Sequence, residues 1–438
     1  MTVTSSVRLI SHASVLIEVG DVAILTDPWQ FGSAFNDSWN LIADPAELSN
    51  YLAGIQYLWI SHEHPDHFHA PTLRSLPAEF RERVVVLFQE SSDHPKMVEA
   101  FRDMLGYPNV RLLPHRTWVP LSGDVAVYCY QSRQQDSALA VRGHGVTVLN
   151  LNDCEVSDRD LVRLRADVGA VDVLLNQFSI AGFDGIESRL PRRAREILDN
   201  MVRDHLALDA KVTIPFASMV YFCCPDNNDI NDYVNAPAHV AAVFEEKGLG
   251  LVVLRADDAY VIGEAHDNAP ALADYARVYE RIGTLPLSQP RTVGAGELAA
   301  ALLRLRKKLV ECHGRIALLL LSPIRMRVPD LETTFEMSLR HGYLRETRGP
   351  PDIEIHSQPL YFMLANDFGL QTLGVSCRFR LFRKFRNMFR HRALVAMLNA
   401  GIGLAPRHIV SRRQLAFFWK RRRELLDQLR YRFRTGTE

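Results

Sequence analysis

The chain has 438 residues, with 51 Lys and Arg balancing 51 Asp and Glu and 47% of positions hydrophobic. That is the length and make-up of a globular protein of two or three domains, and no run of about 18 apolar residues is present to form a membrane-crossing helix. The charge balance is uneven, because from Cys377 onward 17 Lys and Arg face 3 Asp and Glu, which leaves residues 1–376 with the opposite excess. The opening Met1 to Arg8 has no basic segment followed by an apolar one, so a cytoplasmic location is expected. Six cysteines without CxxC pairs argue against a disulfide framework and against a zinc ribbon.

In chain order, apolar runs bounded by turn residues predict strands at residues 7–10, 15–19 and 22–26, with His12 between the first two and Asp27 ending the third. Residues 30–56 read as a loop with a helix around Pro45 to Leu48. The apolar run Tyr57 to Ile60 reads as a buried strand. A short helix at 71–76, a strand at 84–88, a helix over 94–105 and a strand at 110–113 follow. Further strands are predicted at 125–130, 146–151, 171–175 and 211–216. Alternating strands and helices of this kind suit an α/β protein, specifically an αββα sandwich. Residues 216–235, rich in Asn and Asp, read as a surface loop.

Domain boundaries are expected at about 263 and 376. They would enclose a catalytic domain at 1–263, a smaller α+β region at 264–376 and a basic helical segment at 377–438. Within the middle region, 297–312 has the spacing of an amphipathic helix and Arg315 to Leu321 reads as a buried strand. In the last segment, Phe379, Phe382, Phe385 and Phe389 recur at helical spacing among arginines, a pattern for a docking helix or for nucleic-acid or acidic-membrane binding.

The densest chemistry is Ser61-His62-Glu63-His64-Pro65-Asp66-His67-Phe68-His69, directly after the strand at 57–60. Neutral imidazoles and carboxylates are the usual ligands of zinc and iron, and a chain leaving a strand can fold several of them around one point. His62 and His64 form one ligand set and Asp66 with His67 another, so two ions a few ångströms apart are expected. Asp153, after the strand at 146–151, is placed to bridge them, since each carboxylate oxygen can take one ion. His115 and His12 also stand at strand ends and are candidates for a ligand and for a supporting hydrogen bond.

With Ser11-His12-Ala13, Leu25-Thr26-Asp27-Pro28-Trp29, the HxHxDH run and Asn152-Asp153, residues 7–263 resemble the metallo-β-lactamase superfamily. The resemblance implies that His62, His64 and Asp153 serve one metal, and Asp66, His67 and Asp153 the second. The superfamily also supplies a histidine between these two motifs, whereas Tyr130 to Ala138 contains none. Either His115 or Asp136 replaces it, or that position is open. Asp136-Ser137-Ala138-Leu139, Asn176-Gln177-Phe178-Ser179 and Ile214-Pro215-Phe216 resemble the catalytic module of CMP-N-acetylneuraminate hydroxylase and related sugar hydroxylases. Those proteins also carry a Rieske iron–sulfur domain, whose Cys/His pairs are absent here.

Three functions follow. One is a non-haem iron oxygenase acting on a small molecule such as a sugar or amino-acid derivative, with a separate electron donor; fewer imidazoles and more oxygen ligands tilt toward iron or manganese over zinc, with iron favoured and zinc or manganese as the alternatives. Another is a dinuclear hydrolase of a phosphoester, lactone or amide, with Asp66 as acid/base. The third is binding of nucleic acid or an acidic membrane through the basic segment.

Overall fold

Period-two alternation of apolar side chains builds the first of two compact units. Along Val15–Val19, Val15, Ile17 and Val19 face one core and Leu16 the other; along Val22–Thr26, Val22 and Ile24 face the first core and Ala23 and Leu25 the second. A strand buried on both faces must be covered by two layers, and it is. In the computed structural model, residues 4–90, 94–132, 136–382 and 386–405 are described. The first unit comprises residues 1–181 and 188–288, the second residues 182–187 and 289–438.

The first unit holds a seven-stranded sheet in the order Ala259–Val261, Ser6–Leu9, Val15–Val19, Val22–Thr26, Tyr57–Trp59, Val85–Gln89, Val110–Leu113. A six-stranded sheet runs Ala210–Phe216, Val171–Gln177, Val146–Asn152, Ser137–Gly143, Val125–Gln131, Trp118–Ser122. Their facing sides share one core that includes Ile17, Trp59, Val127, Val148 and Ile214. Helices cover both outer faces. Leu73 and Phe80 pack on the first sheet, and Leu161, Leu164 and Val168 on the second, which makes the αββα sandwich expected from sequence. The helix Asp158–Val168 shows how local sequence fixes such a layer. Ser157 caps it by accepting from the Asp160 N–H at 3.3 Å, Asp158 and Asp160 favour the positive end of its dipole, and Gly169 at φ 76° ends it.

Val22–Thr26, Tyr57–Trp59 and Val85–Gln89 run parallel, as do Val146–Asn152 and Val171–Gln177. In α/β sheets such strands deliver functional residues from their carboxyl ends, and Asp27, Ser61 and Asp153 each follow one. Two local expectations differ. Around Pro45 to Leu48 only the short 3₁₀ turns Leu48–Asn50 and Leu52–Gly54 form, and the Ala46 N–H bonds the Ile10 carbonyl. Residues 216–235 are not a plain surface loop. Val220–Phe222 pairs with Trp39–Leu41, and the buried amides of Asn227, Asn231 and Asn235 bind backbone groups of the turns around them.

The second unit has a five-stranded sheet in the order Tyr343–Glu346, Thr333–Ser338, Ile324–Val328, Ile353–Glu354, Arg380–Leu381, with the helices Ala295–Leu318, Ser357–Ala365, Gly369–Ser376 and Arg386–Asn399. Arg315 to Leu321 is not a strand. The long helix kinks at Gly314 (φ 79°, ψ 162°), resumes through Leu318 and ends in a turn closed by the Leu321 N–H on the Leu318 carbonyl. Nor do Phe379 and Phe382 share a helix with Phe389, since Leu381 pairs with Ile353 in the sheet and the helix starts at Arg386. Phe385 and residues 406–438 of the basic segment lie outside the described residues. No helix among the described residues is long and apolar enough to cross a membrane.

Candidate metal centre

Asp27 is the anchor. The chain leaves Val22–Thr26, its Asp27 N–H bonds the Trp59 carbonyl of the neighbouring strand at 3.0 Å, and Asp27 turns through φ 35°. Its fully buried carboxylate then accepts four hydrogen bonds. Ser61 N–H donates to Oδ1 at 2.8 Å, and Ser61 Oγ, Asn152 Nδ2 and His67 Nδ1 donate to Oδ2 at 2.7, 2.9 and 3.0 Å. A carboxylate only accepts, so His67 carries its proton on Nδ1 and turns Nε2 inward. The Ser61 carbonyl is held in turn by Gln89 and Ser137, at 3.0 and 2.6 Å.

On this frame the HxHxDH side chains converge. His62 Nε2 lies 2.7 Å from His64 Nδ1, 3.7 Å from Asp136 Oδ1 and 3.7 Å from Asp153 Oδ2. His67 Nε2 lies 3.3 Å from Asp66 Oδ2 and 3.6 Å from Asp153 Oδ2, and His12 Nε2 lies 3.2 Å from the same Asp66 oxygen. Donor atoms sharing an ion at about 2.1 Å stand roughly 3.0 to 3.6 Å apart, and these spacings lie within a few tenths of an ångström of that range. Three groups of donors result: His62 with His64 and Asp136, His62 with His67 and Asp153, and His12 with Asp66 and His67. Asp153 faces both His62 and His67, and the outer groups flank it, so the side chains fit a dinuclear site.

Unsatisfied atoms test that fit independently. Asp66 Oδ1, Asp153 Oδ1, His67 Nε2 and His12 Nδ1 are buried with no hydrogen-bond partner among the described residues. Each such atom is costly to bury, and a cation answers the need of carboxylate oxygens and neutral imidazole nitrogens alike. The electrostatics agree. Burial holds His62 and His12 below the usual histidine range, which keeps them neutral as ligands must be. Burial alone would raise the Asp66 carboxyl, but His67 and then His12 outweigh it and hold it well below the carboxylate range. In this arrangement Asp66 is held as an ionised carboxylate, the form a ligand or base requires. Burial opposes charge on His67 as well, yet Asp66 and Asp153 hold it protonated, with its pKa well above the usual value. Burial first and the Asp153 charge second raise the Asp136 carboxyl.

Sequence-predicted candidates separate clearly here. Asp136 faces His62 in the place where the superfamily resemblance implies a histidine. His115 does not come near. It is exposed, its Nδ1 accepts the Gln131 N–H at 2.9 Å, its ring lies against Tyr130, and it belongs to none of the donor groups. His12, expected as a supporting hydrogen-bonder, does lie within hydrogen-bond distance of Asp66 and belongs to the same donor group. Ser61, Asn152 and Ser137 stand in the sequence motifs without a role; the structure gives them one, as fully buried side chains that hydrogen-bond Asp27 or the Ser61 carbonyl. Phe35 closes another side. Its ring meets the edge of His64 at 5.9 Å and packs on Trp39, held by a turn in which Phe35, Asn36 and Asp37 all have positive φ.

Residues 6–171 match the family model of the beta-lactamase superfamily domain. A Mycolicibacterium smegmatis protein that carries the name of a Rieske 2Fe-2S iron-sulfur protein is 30% identical over 262 residues, 55% of this chain and 48% of that protein. The cytidine monophosphate-N-acetylneuraminic acid hydroxylase of Asterias rubens is 26% identical over 173 residues, 39% of this chain and 25% of the hydroxylase. The chain thus spans about half the length of the first relative and a quarter of the second. Among solved structures, CmlA, a diiron beta-hydroxylase from Streptomyces venezuelae, aligns with TM-score 0.41 at 18% identity over 59% of this chain and 54% of CmlA. Igni18, a metallo hydrolase from Ignicoccus hospitalis, aligns with TM-score 0.43 at 14% identity over 60% of this chain and all of Igni18. Over residues 6–171 this chain thus matches the beta-lactamase superfamily domain, and its two packed sheets with helices on both outer faces form the αββα sandwich.

Proposed function

We propose that the first unit is a metal-dependent oxygenase of small molecules, with two iron ions held by His12, His62, His64, Asp66, His67, Asp136 and Asp153. The observation that carries this reading is Asp136, whose carboxylate stands 3.7 Å from His62 Nε2 in place of an imidazole. It brings the donor set to three carboxylates and four imidazoles, a harder set that suits iron better than zinc. Iron in such a site supplies redox chemistry toward dioxygen. The names of the relatives lean the same way, one a hydroxylase of a sugar derivative and the others iron–sulfur proteins.

The chain's own residues prepare that chemistry. Asp27 fixes the His67 tautomer, and Phe35 packs against the edge of His64. All six cysteines are buried, and none joins a donor group among the described residues. Electrons would come from a one-electron carrier outside the described residues.

The test is metal analysis of anaerobically purified protein together with oxygen uptake under a chemical reductant. About two iron per chain with reductant-dependent uptake is the expected result. Two zinc with no uptake overturns the reading in favour of a hydrolase, in which the same residues would hold a metal-activated water.

A further inference from the structure

The apolar run Arg315 to Leu321 in the second unit buries only half of itself. Ala317, Leu318 and Leu321 join the core, while Ile316, Leu319 and Leu320 are 80%, 53% and 58% exposed. Those three positions have the spacing i, i+3, i+4 and so form one stripe on a helical turn. Solvent contact at such values means the side chains protrude and do not line a groove. Single exposed leucines are ordinary; three branched aliphatics on one face are a patch. The surroundings are cationic. Arg315 is exposed beside the stripe, and the Arg390 guanidinium donates to the Leu320 carbonyl at 3.2 Å. Neither arginine pairs with a carboxylate among the described residues.

We propose that this stripe and its arginines form a docking face for an anionic lipid surface, reached peripherally. Protruding aliphatic side chains flanked by arginines are what a fluid, negatively charged bilayer accepts, the aliphatics entering the acyl boundary and the guanidinium groups meeting headgroups. Charge argues against the other occupants. Residues 406–438 carry 10 Lys and Arg against 3 Asp and Glu, so their sequence would set cation against cation if laid over the patch. A second copy docked by two-fold symmetry would likewise oppose like charges. Nucleic acid offers phosphates to the arginines but takes aromatic side chains on its bases, and branched aliphatics give it nothing to stack on. The basic composition beyond residue 405 adds attraction to the same partner.

The full-length protein should sediment with phosphatidylcholine vesicles containing about one-fifth phosphatidylserine, and not with pure phosphatidylcholine. Ile316→Glu with Leu320→Glu should lower that binding by about tenfold or more. Both residues are exposed, so the melting temperature should not move. Arg315→Ala with Arg390→Ala should weaken binding and its salt dependence together. Absence of wild-type sedimentation overturns the proposal, and so does binding that the double glutamate variant leaves unchanged. A variant that alters self-association or oligonucleotide binding while leaving vesicle binding intact also overturns it and assigns the stripe elsewhere.

Discussion

Asp27→Asn is the sharpest probe of the centre, because it changes one charge and no volume. In the native protein the Asp27 carboxylate accepts from His67 Nδ1 at 3.0 Å, and that bond leaves Nε2 facing Asp66 and Asp153. An amide there has one acceptor and one donor. The Ser61 N–H on the other oxygen keeps the acceptor in place, so the new NH2 points at His67 Nδ1 and meets Asn152 Nδ2, itself a donor. His67 can then relieve the clash only by moving its proton to Nε2, which removes that nitrogen as a ligand. Losing a partner of this kind costs 10- to 100-fold in metal affinity, and a wrong tautomer belongs at the upper end, about 100-fold or about 2.7 kcal/mol. Competition against a chelator gives the affinity, and the shift in melting temperature on adding metal gives the same loss through linkage. Unchanged affinity in a folded Asp27→Asn protein would refute the tautomer argument.

Metal loading should release protons. His67 is held protonated in the metal-free protein by Asp66 and Asp153 and must lose its Nε2 proton to ligate, and the raised Asp136 carboxyl adds to the count. Apparent affinity should therefore rise with pH up to the raised His67 value and fall below it, about tenfold per pH unit per proton; calorimetry in buffers of different ionisation enthalpy reads the number directly. His64→Ala should lose metal and activity with the fold kept, whereas His115→Ala should keep its full metal content, since His115 is exposed and apart from the donors. Asp136→His, restoring an imidazole beside His62, should raise the zinc share of bound metal and lower reductant-dependent oxygen uptake. Parallel elemental analysis of both proteins from one medium decides it.

The parts of this architecture that were legible in sequence are those set by short-range periodicity. Alternation along Val15–Val19 and Val22–Thr26 fixes which face meets which core, and the run of imidazoles after Tyr57–Trp59 marks a metal loop without reference to anything distant. What could not be read depends on long-range contacts. The choice between His115 and Asp136 turned on whether residue 115 or residue 136 reaches His62, and nothing local separates a strand-end His from a strand-end Asp. The leucine run after Gly314 shows the same limit from the other side. Seven apolar or flanking residues predict burial, but after the break at Gly314 (φ 79°) the chain resumes as a helical turn with only one side in the core.

Backbone strain then explains why so few residues suffice to assemble the centre. Asp27 at φ 35° and Asn152 at φ 59° each sit where a strand ends and a donor must turn toward the metals, and the pairing of Val146–Asn152 with its parallel neighbour slips at this same point. Positive φ costs a non-glycine residue on the order of 1 kcal/mol or more, so each of these turns requires compensation. The compensation is the bond between the two strained residues themselves, Asn152 Nδ2 to Asp27 Oδ2 at 2.9 Å, joining one sheet to the other. Asn and Asp tolerate the left-handed region best among residues with side chains, and each supplies the polar group that the other needs. A substitution that relaxes either turn, such as Asn152→Gly, would ease the backbone and yet remove one of the four hydrogen bonds that Asp27 accepts. Stability and metal affinity should therefore move in opposite directions in that variant. A variant that loses both would show that the bond, and not the turn, dominates.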